Sequence, residues 1–69
     1  MTIQVHNPMP TDVRLGDKLY DIANDILWHC DDLSREMPYC TIRYKHRELI
    51  YHYQDRFQGY ILIRNVKEI

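Results

Sequence analysis

Two glycines and three prolines in 69 residues leave little material for flexible linkers, and two cysteines are too few for a disulfide framework. The amino-terminal stretch MTIQVHNPMP has neither the basic start nor the apolar run of a signal peptide. No stretch approaches the ~18 consecutive apolar residues of a membrane span. These absences point to a soluble, cytoplasmic protein with reduced thiols and no membrane partner. Motifs of chemistry are missing too: there is no Gly-rich phosphate loop, no G-x-S-x-G and no H-E-x-x-H. His29, Cys30, Cys40, His46 and His52 are metal-ligating residue types, but they lack the close pairing on a turn that a structural zinc site uses. Cys40 with His46 or His52 is a nominal thiol and base pair of the kind that any small protein with four histidines offers. No catalytic residue, metal or cofactor is expected.

What is present is the composition of a folded protein: 45% hydrophobic residues, six tyrosines and one tryptophan. A chain this short buries only about 60% of its unfolded surface, so residues 1–69 are read as one small domain. Its charge is uneven. Residues 1–38 carry seven acids and three bases, net −4, and residues 39–69 carry three acids and six bases, net +3. The asymmetry suggests either a charged partner or two halves that screen each other.

The longest periodic stretch runs from Gly16 to Met37. Leu19, Ala23, Ile26, Cys30, Leu33 and Met37 recur at helical spacing, which predicts an amphipathic helix over about 16–37, ended by Pro38. Thr2 to His6 alternates and predicts a strand that Asn7-Pro8 ends, and Tyr39 to Lys45 predicts another. Leu49 to Gln54 alternates in the same way, Asp55 to Gly59 has the composition of a turn, and Tyr60 to Val66 is apolar on both faces. Lys67, Glu68 and Ile69 are expected to fray. The fold expected is α+β, in the order β-α-β-β-β, with one helix packed on a three- to four-stranded antiparallel sheet. The alternative is a second helix at about 46–58, because Leu49, Ile50, Tyr53, Phe57, Tyr60 and Ile61 also fit a helical stripe.

On such a helix Asp21, Asp25, Trp28 and Asp32 would share the face opposite the apolar stripe, with Asp17 and Arg35 beside them. A tryptophan among carboxylates, if exposed, is the composition of an interface anchor in a charged rim. The function expected is therefore a non-enzymatic protein–protein interaction module, an inhibitor or regulator that docks this acidic face onto a basic, nucleic-acid-binding partner surface. The alternative is a small single-stranded nucleic-acid-binding domain using a basic, Tyr-rich sheet face of Arg43, Lys45, His52, Tyr60 and Arg64. The oligomeric state is not legible from these residues.

Overall fold

The computed structural model describes residues 1–66, and Lys67 to Ile69, where fraying is expected, lie outside the described residues. The chain forms β1 (Thr2–His6), a 3-10 turn (Pro10–Asp12), β2 (Lys18–Asp21), β3 (Ile26–Leu33), β4 (Cys40–Tyr44), β5 (Arg47–Tyr51) and β6 (Tyr60–Asn65). All six strands join one antiparallel sheet in the order β1-β6-β2-β3-β4-β5. There is no α-helix among the described residues, so the α+β expectation is corrected to all-β. The strands expected near 2–6, 39–45, 49–54 and 60–66 correspond to β1, β4, β5 and β6.

The stretch expected to be a helix over 16–37 is instead the β2–β3 hairpin and the loop after it. Two local features make a helical stripe out of strand residues. Ile26, Trp28 and Cys30 alternate and face inward, but a β-bulge between Cys30 and Asp32 adds one residue and returns Leu33 to the inner face. The spacing of three from Cys30 to Leu33 is therefore a bulge, not a helical step. Upstream, residues 22–25 form a turn in which Asp25 takes a left-handed φ of 53°, a conformation that Asp tolerates. Asp21 fastens the turn by accepting hydrogen bonds from the Asn24 backbone N–H and from Asn24 Nδ2 at 2.8 Å. The alternative helix at 46–58 is likewise absent: β5 and an irregular crossing occupy it.

One face of the sheet is covered by its own connections. Leu19, Trp28, Cys30, Cys40, Ile42 and Leu62 are buried there, and Pro8, Pro10 and Val13 from the β1–β2 connection and Phe57 from the β5–β6 connection lie over them. The sheet is strongly curled. β5 and β6 are four places apart in the strand order, which in a flat sheet would separate them by about 19 Å at about 4.8 Å per strand. Yet the Tyr51 and Tyr60 rings lie 6.3 Å apart, with Phe57 at 3.9 Å from the first and 5.4 Å from the second. The Phe57 N–H donates to the Pro8 carbonyl at 2.9 Å, so the crossing also ties β5 back to the β1 side.

Phe57→Ala is expected to lower stability by about 3–5 kcal/mol, most of what a domain this small holds in reserve. Tyr53→Ala, on the same crossing but 46% exposed, should change it by less than about 0.5 kcal/mol. Urea denaturation followed by Trp28 fluorescence compares the two directly.

Candidate interaction surface

Once the hairpin replaces the helix, the residues of the expected acidic face separate. Strand alternation puts Trp28 on the inner face beside Cys30, and the side chain is 1% exposed. Tyr44 stands 6.0 Å from its ring and the Arg47 guanidinium lies 5.3 Å over it, while its buried Nε1 has no hydrogen-bond partner among the described residues. A ring enclosed in this way cannot enter a partner's pocket, and the expected exposure of Trp28 is corrected. Asp17 is buried as well. It accepts the Arg14 N–H at 2.8 Å and a forked pair from Arg64, Nε to Oδ1 at 3.0 Å and Nη2 to Oδ2 at 2.7 Å. Asp21 is buried in its turn, Asp25 accepts the Tyr20 hydroxyl at 2.6 Å, Asp32 is exposed on β3, and Arg35 is exposed in the β3–β4 loop. These six residues share no face.

The alternative set separates too. Arg64 is engaged by Asp17 and also donates to the Asp12 carbonyl at 2.8 Å. Arg43 faces the opposite side of the sheet, bridged to Glu48 at 3.0 Å and to Asp31 at 3.4 Å. Lys45 occupies the β4–β5 turn with φ at 55° and its Nζ 5.2 Å over the Tyr44 ring. Tyr60 lies in the Phe57 cluster, where burial first and the Tyr51 hydroxyl second push its phenol above the ordinary range. His52 is exposed beyond β5.

The thiols are core residues. Burial pushes Cys30 up to about 11 and Cys40 up to about 12, from an ordinary value of 9.0. Among the described residues no three His, Cys, Asp or Glu side chains converge on a point where a metal ion could sit. A cleft of about 320 Å³ lies between the β1–β2 connection and β6, lined by Arg14, Leu15, Gly16, Asp17, Lys18, Ile63, Arg64 and Asn65. Its central charged groups, Asp17 and Arg64, are already engaged with each other.

A surface that sequence reasoning missed is the outer face of the sheet. Residues directly opposed on antiparallel strands point the same way. The register therefore lines up His6, Ile61, Tyr20 and Leu27 in one row across β1, β6, β2 and β3. The next row runs Gln4, Ile63, Lys18, His29, Arg43 and Glu48. Ile61, Ile63, Tyr20 and Leu27 are only half-buried, because no described element lies over this face. Asp25 stands at one end of the first row through its bond to Tyr20, and Asp32 lies on the same face at the other end of β3. The signal was present in the sequence: Ile61 and Ile63 alternate with the inward Leu62 and Arg64, a strand apolar on both faces. No family model, curated protein or solved structure matches this chain.

Two measurements follow from this geometry. Both thiols keep their protons in the folded state after the unfolded chain has released its own. Their contribution to stability is therefore complete below pH 9 and declines as the pH rises toward 11 and 12. Cys40→Ala should lower the melting temperature at pH 7 yet flatten its alkaline decline. Arg64→Ala should cost about 2–3 kcal/mol, since it strands the Asp17 carboxylate in a site where that side chain is 4% exposed. Adding Asp17→Asn should return part of that loss in urea titrations.

Proposed function

We propose that this chain is a non-catalytic protein-binding module that takes its partner on the outer face of the sheet. The observation that carries this reading is the row of Ile61, Tyr20 and Leu27, half-buried apolar side chains on a face that no described element covers. Completing the burial of a Leu or Ile side chain is worth a share of the about 1.5–3 kcal/mol that full burial gives. Three or four such residues side by side form the apolar centre of an interface. His6, Lys18, His29 and the carboxylates of Asp25 and Asp32 supply the polar surround that such centres have. The thiols support binding over chemistry: a buried, protonated Cys40 is a poor nucleophile for any nearby histidine to activate.

A second reading has one observation in its favour. The β4–β5 hairpin tip exposes Lys45, His46 and Arg47 together, a small basic knob suited to phosphate. Single-stranded nucleic acid also needs ring faces for its bases. Here Trp28 is enclosed and Tyr44 is half-buried beneath Lys45, so the knob lacks its stacking platform.

The two readings separate in an affinity capture from the cell that makes the protein. Leu27→Asp and Ile61→Thr should each weaken retention of a specific protein at least about tenfold. Both should keep folding stability within about 1 kcal/mol of wild type. Lys45→Glu with Arg47→Glu should leave that retention unchanged. Retention that survives both outer-face changes, or a captured nucleic acid lost only with the hairpin changes, would overturn the protein-binding reading.

A further inference from the structure

The free edge of β1 has none of the features that keep sheet edges from pairing. β1 reads Thr2-Ile3-Gln4-Val5-His6, with β-branched residues at three of five positions and no proline, lysine, glycine or acid. Its register against β6 is unbroken by any bulge, and all five residues are exposed. Sheet edges are ordinarily blunted by charge, proline or a bulge, because their unpaired N–H and C=O groups are a template for another strand. The opposite edge is treated differently. β5 carries the charged Arg47 and Glu48.

The hydrogen-bond phase of β1 fixes which groups are free. The Val66 N–H donates to the Met1 carbonyl at 2.8 Å, and the Asn7 N–H donates to the Tyr60 carbonyl at 2.9 Å. In an antiparallel ladder these bonds fall on alternate residues. Met1, Ile3, Val5 and Asn7 therefore bond inward to β6, while the backbone N–H and C=O groups of Thr2, Gln4 and His6 face outward, unpaired among the described residues.

We propose that the β1 edge is a homodimerisation site, at which two copies of this chain pair β1 with β1 in antiparallel orientation about a two-fold axis at Gln4. Centred there, the outward groups of Thr2, Gln4 and His6 meet those of His6, Gln4 and Thr2 of the second copy, and each pair exchanges both its hydrogen bonds. Centring the axis on Ile3 or Val5 would lose the outermost pair. The Gln4 axis also sets Ile3 opposite Val5 of the second copy, twice over. These are non-hydrogen-bonded pairs, in which side chains approach most closely, with Cα atoms about 4.5 Å apart. Ile3 and Val5, 37% and 38% exposed in the single chain, then cover one another. Val5 is the register partner of the buried Leu62, so the seam continues the core of each copy.

The occupant follows from the strand itself. β1 is self-complementary about Gln4 and carries no Asp, Glu, Lys or Arg that would repel its own copy. A symmetric β1–β1 contact closes at two chains. Pairing of β1 with the charged β5 of another copy would instead run head to tail and leave edges open. The dimer places Gln4 and His6 of both copies on one continuous outer face, but it does not depend on that face being a binding site.

Sedimentation equilibrium of the 8.5 kDa chain should return twice the chain mass. Gln4→Pro deletes an N–H that no bond among the described residues uses, at an edge position where proline is tolerated, and should give a folded monomer. Gln4→Lys should also be monomeric, because it sets two like charges directly opposite at the axis, as should Gln4→Glu. A mixture of the two should recover the dimer mass. In wild type, amide exchange at Gln4 and His6 should be slow and concentration-dependent, whereas Ile3 and Val5 are protected in every variant. A wild-type chain still monomeric at about 1 mM, or a dimer unmoved by the Gln4 substitutions, would overturn the proposal. So would lysine and glutamate variants that fail to recover the dimer on mixing, because that would place the axis elsewhere.

Discussion

Closure of the curled sheet by Phe57 is the contact on which the remaining structure depends. A single sheet built by 69 residues has no second layer to bury its inner face, and the described residues contain no helix to serve as one. The chain covers that face with its own connections, and Phe57 is the largest fully buried side chain they contribute. By touching Tyr51 on the outermost strand and Tyr60 on the strand next to the opposite edge, its ring holds the curvature that turns a sheet into an enclosed core. Flattening the sheet would expose Trp28, Leu19 and Ile42 together. The curvature is thus inseparable from hydrophobic burial, which supplies most of the driving force for folding.

That mode of enclosure decides where polar groups can be. Connections that cross a core bring backbone and short polar side chains with them, and these need partners. Asp12 accepts the Met9 N–H at 2.9 Å, Asp17 accepts the Arg14 N–H, and the Asn7 side chain accepts the Gly59 N–H at 2.9 Å. Asp17 and Arg64 are therefore better understood as fasteners of the β1–β2 connection than as surface charges. The same logic explains the bare outer face: the two longest connections are used on the inside, and no described element is left to cover Ile61, Tyr20 and Leu27.

The strands of the second half were legible because alternation there is uninterrupted: Cys40, Ile42 and Tyr44 point inward with polar residues between them. The stretch from residue 16 to 37 was not legible, for local reasons. A bulge at Cys30 to Asp32 turned a period of two into a step of three, and the turn at 22–25 placed Ala23 and Ile26 in phase with it. Over twenty residues the sum imitates a helix. A signal against the helix was available, since Asn24-Asp25 has turn chemistry in the middle of the stripe and Trp28 suits a strand. The expected acidic site fell with the helix, because its grouping depended wholly on helical spacing. The outer row was legible only in β6, whose apolar residues face both ways, since the rest of it is assembled from strands whose register no single segment encodes.

The uneven charge of the two halves finds its use inside the molecule. Arg43 of the basic half bridges Asp31 of the acidic half, and Arg64 of the basic half holds Asp17 of the acidic half. In these two places charge of one half is offset by charge of the other. A net charge of −1 is then a fair account of the field that the folded chain presents at a distance. Such a molecule gains little from electrostatic steering, so a protein bound as proposed should be met at the ordinary about 10⁵–10⁶ M⁻¹s⁻¹ of uncharged encounters, with little dependence on salt. On the proposed reading, selectivity would come from shape and from apolar area on the outer face, contacts that form late in an encounter and set how slowly a complex comes apart.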